Sequence, residues 1–343
     1  MSILINSIEK ILKNARYEKN YSGIFKSGNS GYWSNLDKQE NKVFIDLLQD
    51  LTPLDTVRKM IPHQEEHIFS EKREAALELL DIKEGSVCID YGCMWGVLSV
   101  GLAKRGAVVV AIDQTEESLE FLNARKKHDK LDSIIIVQDD IRKVNLNDFS
   151  DYAIVNGVLE WIPEFGEIEL KQYTGKRKAK EYPTISPQEI QTNFLKQVCK
   201  NLKGNGELLL AIENRYDYTQ FIGKKDPHVN LFLTSILPRP LSNLISKLVL
   251  KRPYVNYIYS FQGLKKLILE SGFREVELYT VFPHYHMPEL ILPYKKGIEK
   301  YRKYYSIRGA SWKRKIVYLI EFILMKYLKA IFFAPAIIVV AKK

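Results

Sequence analysis

From residue 86 onward the chain alternates short β-branched runs with helix-patterned ones, and that alternation leaves few folds open. SVCIDYG (86–92), AVVVAID (107–113) and SIIIVQDD (133–140) read as strands, with VLSVGLAKRG and EESLEFLNARKK as the helices between them. DYAIVNG (151–157) and GELLLAIEN (206–214) add two strands around a helix that opens on Ser186-Pro187 and ends at Gly204. Strands separated by helices must run parallel, with helices covering both faces of the sheet. The rhythm breaks at 215–259, resumes with a helix at 261–272 and a strand at 273–282, breaks again over 283–333 and closes on PAIIVVAKK (335–343). The expected organisation is an N-terminal helical cover, 1–80, followed by one sheet domain, 81–343, carrying two insertions.

A chain of 343 residues with 46% hydrophobic composition is long enough to bury a full core. Its three cysteines, Cys88, Cys93 and Cys199, form no C-x-x-C pair, which argues against a zinc ribbon or a disulfide framework and for a reducing, cytoplasmic setting. The first twenty residues carry charges every few positions, unlike a signal peptide. Most of the +10 net charge is local: residues 295–329 hold eleven Lys or Arg against Glu299 and Glu321. Such a block suits a phosphate-bearing surface, and its interleaved Tyr, Ile and Leu suit anionic lipid better than nucleic acid. The apolar run at 316–341 is interrupted by Glu321, Lys326, Lys329 and Pro335, so it falls short of the roughly 18–20 residues a spanning helix needs. Either a buried helix and strand or a helix lying in the plane of a membrane surface would account for it.

In an open parallel sheet, ligands bind beyond the carboxyl ends of the strands where strand order reverses. Every such end here is polar: Asp90 and Gly92, Asp113, Asp139 and Asp140, Asn156 and Gly157, then Glu213, Asn214 and Arg215. A pyrophosphate-binding turn would read G-x-G-x-x-G, but Met94 stands where its second glycine belongs. Asp113, at the end of the second strand, still suits a ribose diol. A ribose to hold without a pyrophosphate to cradle points to S-adenosylmethionine. IDYGCMWGVLSVGLAKRGAVVVAID resembles the first motifs of the class I S-adenosylmethionine-dependent methyltransferases, departing at Met94. The resemblance covers about 86–282 plus the last strand. It implies a Rossmann-like α/β fold with a seven-stranded, mostly parallel sheet. It also implies a cofactor site in which Asp90 and the turn Gly92, Cys93 to Gly96 flank the methionine moiety and Asp113 takes the ribose hydroxyls. Asp140 and Ile141 would meet the adenine, and Asn156 and Gly157 the methionine end. Within the turn, Cys93 and Met94 are expected to pack against core and Trp95 to begin the helix.

Further on, NGVLEWIPEF, AIENRYDYTQFIGKKDPH and FPHYHMPE resemble a bacterial methyltransferase group encoded with or fused to glycosyltransferases of surface-polysaccharide synthesis. This implies a glycan or lipid-linked glycan acceptor, a glycosyltransferase partner and work at the inner face of the membrane. Methylating a hydroxyl requires in-line positioning and gains from a base. His228, with Asp226 two residues before it, is the first choice for that base. Glu213, Glu160 and Arg215 are further polar groups expected near the methyl. His284 and His286 come second; they could bind a metal, but no third ligand stands out beside them, and no metal site is expected. Tyr216, Tyr218 and Tyr257 could line a sugar site or pack as core. HQEEH (63–67) fits a zinc-protease pattern but falls in the N-terminal cover, outside the expected cleft. The rival readings are an RNA methyltransferase using 295–329, which lacks the D/N-P-P-aromatic motif of amino-group base methylation, and a non-catalytic cofactor-binding scaffold.

Overall fold

The computed structural model describes residues 1–27, 38–164, 185–294, 301 and 311–343. Its strands are β1 (Glu18–Lys19), β2 (Phe25–Lys26), β3 (Val87–Tyr91), β4 (Val108–Asp113), β5 (Ile134–Gln138), β6 (Ser150–Asn156), β7 (Leu202–Glu213), β8 (Glu275–Phe282), β9 (Leu290–Pro293) and β10 (Ala336–Lys342). They form one sheet in the order β1-β2-β5-β4-β3-β6-β7-β10-β8-β9. From β5 through β7 all neighbours are parallel, as the alternation requires. Strand β10 slots between β7 and β8 and runs antiparallel to both.

The seven expected strands are the middle of this sheet, and the structure extends it at both edges. Phe25 pairs with Val137, so the β1–β2 hairpin from the N-terminal segment becomes an edge of the sheet. At the far side β9 pairs with β8. Strands of two residues, or of four ending in a proline, show no alternation to read. The first eighty residues are therefore more than a helical cover.

The helices are α1 (Ser2–Asn14), α2 (Lys38–Asp50), α3 (Pro53–Met60), α4 (Glu65–Phe69), α5 (Val97–Lys104), α6 (Glu116–His128), α7 (Pro187–Asn201), α8 (Tyr218–Phe221), α9 (Arg239–Leu250), α10 (Phe261–Glu270) and α11 (Trp312–Phe322). Helix α7 starts as expected: Ser186 accepts the Glu189 amide at 3.1 Å, and Pro187 occupies the first turn, where a missing N–H costs nothing. Helix α5 is buried from Val97 to Ala103, because the 3₁₀ segment Glu71–Leu79 lies over its outer face. Arg105 ties the two together through Glu74 at 2.8 Å and Glu78 at 2.6 Å.

The first insertion contains α8 and α9, and the second contains β9 and α11. Glu321, which interrupts the apolar run, is buried and accepts hydrogen bonds from Tyr218 at 2.7 Å and from Tyr301. A charge that disqualifies a spanning helix thus stitches one insertion to the other. No helix among the described residues is long and apolar enough to cross a membrane. Six of the eleven basic residues of 295–329, namely Lys295, Lys296, Lys300, Arg302, Lys303 and Arg308, lie outside the described residues.

Candidate active site

Strand order reverses between β3 and β6, so the loops leaving these two strands frame the crevice. The turn after β3 takes positive φ at Gly92 (71°), Met94 (48°) and Gly96 (70°). A Cβ on Gly92 would lie 2.6 Å from Val158, so glycine there allows the β3 loop to rest on the β6 loop. Met94 is different. Left-handed backbone costs a non-glycine residue roughly 1–2 kcal/mol. Here its amide donates to Asp113 Oδ2 at 2.8 Å, while its side chain is 37% exposed. Met94 is thus not packed in the core as expected. Cys93 is buried. Trp95 does not begin the helix: Gly96 is the N-cap of α5, and Trp95 packs between Phe44 (5.7 Å) and Phe121 (5.4 Å) beneath the N-terminal segment.

Asp113 accepts three amides, from Met94, Gln114 (2.7 Å) and Thr115 (2.9 Å), which fix both carboxylate oxygens at the end of β4. Oδ2 takes only one of these bonds and keeps acceptor capacity for a hydroxyl. Asp90 is buried and accepts the Ser99 hydroxyl at 2.6 Å. Burial raises its pKa to about 6, and the nearby Asp113 charge adds to the rise, against the opposing Ser99 hydrogen bond.

At the end of β5 stand Asp140 and Ile141, the residues expected to meet the adenine. Asp140 caps the short turn Ile141–Lys143 and pairs with Arg142 through both carboxylate oxygens, at 2.9 and 2.6 Å. Ile141 is buried beside it. Asp139 is held by Tyr17 at 2.6 Å and by Ser27, both from the N-terminal segment. Asn156 ends β6, and Gly157 follows with φ 67°, where a Cβ would stand 2.5 Å from the Tyr285 hydroxyl.

Beyond β6 and β7 the structure gathers Glu213, Asp226 and His228, the three residues singled out for catalysis. His228 Nδ1 is 3.0 Å from Asp226 Oδ1, and its Nε2 is 3.9 Å from Glu213 Oε2. Asp226 is further fixed by the Tyr254 hydroxyl (2.9 Å), Thr234 (3.2 Å) and the His228 amide (2.9 Å). Burial alone would lower the His228 pKa, but Asp226, Glu213 and Glu160 together raise it. Glu160 is fully buried in the same cluster, and burial next to the Glu213 charge raises its pKa. Tyr285 reaches Glu160 Oε1 at 3.4 Å and Glu213 Oε1 at 3.3 Å.

Glu213 also lies 4.0 Å from His284 Nε2, so it is the third donor that sequence reading did not find beside His284 and His286. His67 is not outside the cleft: its ring packs edge-on against His286 at 5.4 Å. Arg73 donates to the His67 carbonyl, and its guanidinium is buried within electrostatic range of Asp90 and Tyr285. His67 was visible in the sequence only as part of HQEEH and Arg73 not at all, because their placement beside the crevice depends on how the N-terminal segment docks. The tyrosines serve packing. Tyr218 is buried on Glu321, Tyr257 stacks on Tyr254 beneath Arg239, and Arg215 sits over Tyr216. Arg215 itself binds the carbonyls of Ser235, Ile236 and Leu237 rather than the crevice.

Residues 82–231 match a family model described as a methyltransferase domain. Curated ubiquinone biosynthesis O-methyltransferases of Coxiella burnetii are 31% identical over 105 residues, 31% of this chain and 43% of theirs. The chain thus spans less than half the length of the curated relatives it matches. Among solved structures, phosphoethanolamine N-methyltransferase 2 of Haemonchus contortus, in complex with S-adenosyl-L-methionine, is 13% identical with a TM-score of 0.45, covering 85% of this chain and 60% of that one. A SAM-dependent methyltransferase of Thermotoga maritima is 15% identical with a TM-score of 0.43, covering 84% and 97%.

Proposed function

We propose that this chain, whose residues 82–231 match a methyltransferase-domain family, transfers a methyl group from S-adenosylmethionine to a hydroxyl of a glycan or lipid-linked glycan. The observation that carries the reading is one of adjacency. The Asp90–Asp113 turn rests on the β6 loop through Gly92 and Val158, and that loop carries Glu160 into the cluster with Glu213, His228 and Asp226. A nucleoside-holding group and a proton-accepting group therefore meet at one switch point.

The residues fit the cofactor. Asp113 Oδ2 has room for a ribose hydroxyl, and the buried Arg73 has an Nε without a hydrogen-bond partner, suited to the methionine carboxylate. Asp140 is committed to Arg142, so the adenine would rest against Ile141 and the turn's backbone. When bound, the cofactor supplies an electrophilic sulfonium methyl. An acceptor hydroxyl held in line with that methyl would give up its proton to the Glu213 carboxylate, with Asp226 and His228 holding that carboxylate in place. Holding the acceptor in line is the larger part of the work.

The likeness to an O-methyltransferase of ubiquinone biosynthesis supports an oxygen acceptor. Exposed Leu241, Leu244, Leu248 and Val249 on α9, and Trp312, Ile316 and Leu319 on α11, support work at a membrane surface on a lipid-linked acceptor. The test is calorimetric titration of S-adenosylhomocysteine into wild type and Asp113→Ala, followed by methyl transfer to lipid-linked sugars, nucleotide sugars, a phenol and RNA. Micromolar binding lost in the variant, with labelled glycan as product, is the expected result. Transfer to RNA would replace the acceptor assignment. Binding without turnover on any acceptor would leave a scaffold, and no binding by wild type would end the methyltransferase reading.

A further inference from the structure

Two carboxylates lie side by side in the interior at the end of the crevice, and both have an oxygen without a hydrogen bond. Glu160 Oε2 and Glu213 Oε2 are buried without a hydrogen-bond partner, while the single hydroxyl of Tyr285 lies 3.4 Å from Glu160 Oε1 and 3.3 Å from Glu213 Oε1 and can donate to only one of them at a time. Such atoms are costly: a buried acceptor left unsatisfied loses about 1–3 kcal/mol, more when charged. His228 faces the same point. With Nδ1 bonded to Asp226, its Nε2 is the nitrogen turned toward Glu213 Oε2. One donor atom from each of Glu160, Glu213 and His228 lies within 4.8 Å of the others.

We propose that Glu160, Glu213 and His228 bind a divalent first-row transition-metal cation. Metal–ligand bonds of about 2.0–2.2 Å place donors up to roughly 4 Å apart across the ion, so small side-chain rotations close the set. Three ligands leave open positions for an acceptor oxygen. Mixed imidazole and carboxylate donors favour Mn²⁺, Fe²⁺ or Zn²⁺ over Mg²⁺ or Ca²⁺. The outer ring is also in place: Asp226 orients His228, and Tyr254 and Thr234 orient Asp226, the carboxylate–histidine arrangement that fixes a metal-binding tautomer.

The neighbouring set of Glu213, His284 and His286 is the competitor, and ring geometry disfavours it. The two imidazoles stack at 4.7 Å with only 11° between planes, so their in-plane lone pairs run in parallel planes and do not converge on one ion. The ion's service to the acceptor rests on the methyl-transfer reading, but its binding does not.

The experiment is metal analysis and calorimetry on the full chain, stripped with chelator and titrated with MnCl₂ or ZnCl₂ alone, without cofactor or acceptor. One ion per chain is expected, with affinity falling at least tenfold in Glu160→Gln and in His228→Ala and unchanged in His284→Ala. Circular dichroism of each variant establishes that it is folded, and Glu160→Gln, which keeps shape and volume, guards against collapse of the site. Cobalt substitution adds a d–d absorption band that the two ligand variants should lose. Absence of a bound ion in folded wild type would overturn the proposal, as would binding that survives both ligand variants or is lost with His284→Ala. S-adenosylhomocysteine binding by the stripped protein keeps the methyltransferase reading separate from either result.

Discussion

Met94 shows how one residue can break a sequence motif without breaking its backbone turn. The backbone turns as a glycine would, the amide reaches Asp113, and the side chain points outward. Asp90 carries a measurable consequence of its burial. A carboxyl whose pKa rises from the ordinary 3.8 to about 6 on folding binds its proton more tightly in the folded chain. Its contribution to stability is fully present below about pH 4 and is lost as pH rises through 6. Asp90→Asn should therefore be more stable than wild type at pH 8, by up to about 3 kcal/mol, with the gap closing by pH 4. Urea unfolding at both pH values checks this, and a gap that does not change with pH would contradict it.

The central sheet was legible because β3, β4 and β5 are buried on both faces and read as short, mostly apolar runs, rich in Val and Ile in β4 and β5. The turn after β3 was legible for a related reason, since polar residues stand where those runs end. Asp226 and His228 were legible as a close pair, whereas their meeting with Glu160 and Glu213 depends on how an insertion folds back over two strand ends. The edge strands and the reach of His67 and Arg73 were not legible, since both follow from docking of the N-terminal segment. Trp95 is the anchor of that docking, in a cluster with Phe44, Val57, Ile61, Ile68 and Phe121. Trp95→Ala should cost about 3–5 kcal/mol. It should also raise hydrogen exchange across α2 to α4 more than across β3 to β7, as mass spectrometry would resolve. Uniform loss of protection would refute that anchoring role.

At the scale of the molecule, charge and apolar surface share the second insertion. Helix α11 exposes Trp312, Ile316 and Leu319, with Tyr327 and Leu328 just beyond it, alongside Lys315 and Lys329. Such a surface should bind vesicles containing anionic lipid and weaken as salt rises, because charge brings it to the membrane and apolar burial holds it there. Leu319→Asp with Tyr327→Asp should reduce co-sedimentation at least tenfold without altering S-adenosylhomocysteine affinity. Equal binding to neutral and anionic vesicles would rule out the electrostatic part. The position of β10 bears on how the molecule is built. Of the ten described strands it is the last to be synthesised, yet it lies inside the sheet, with Ala336 opposite Glu213 on one side and Val281 on the other. Until those residues leave the ribosome, the nascent chain has two unpaired strand edges, one of them ending in a glutamate the crevice depends on. Among the described strands, pairing along β10 therefore comes last, and until then the facing edges of β7 and β8 stay open beside the crevice.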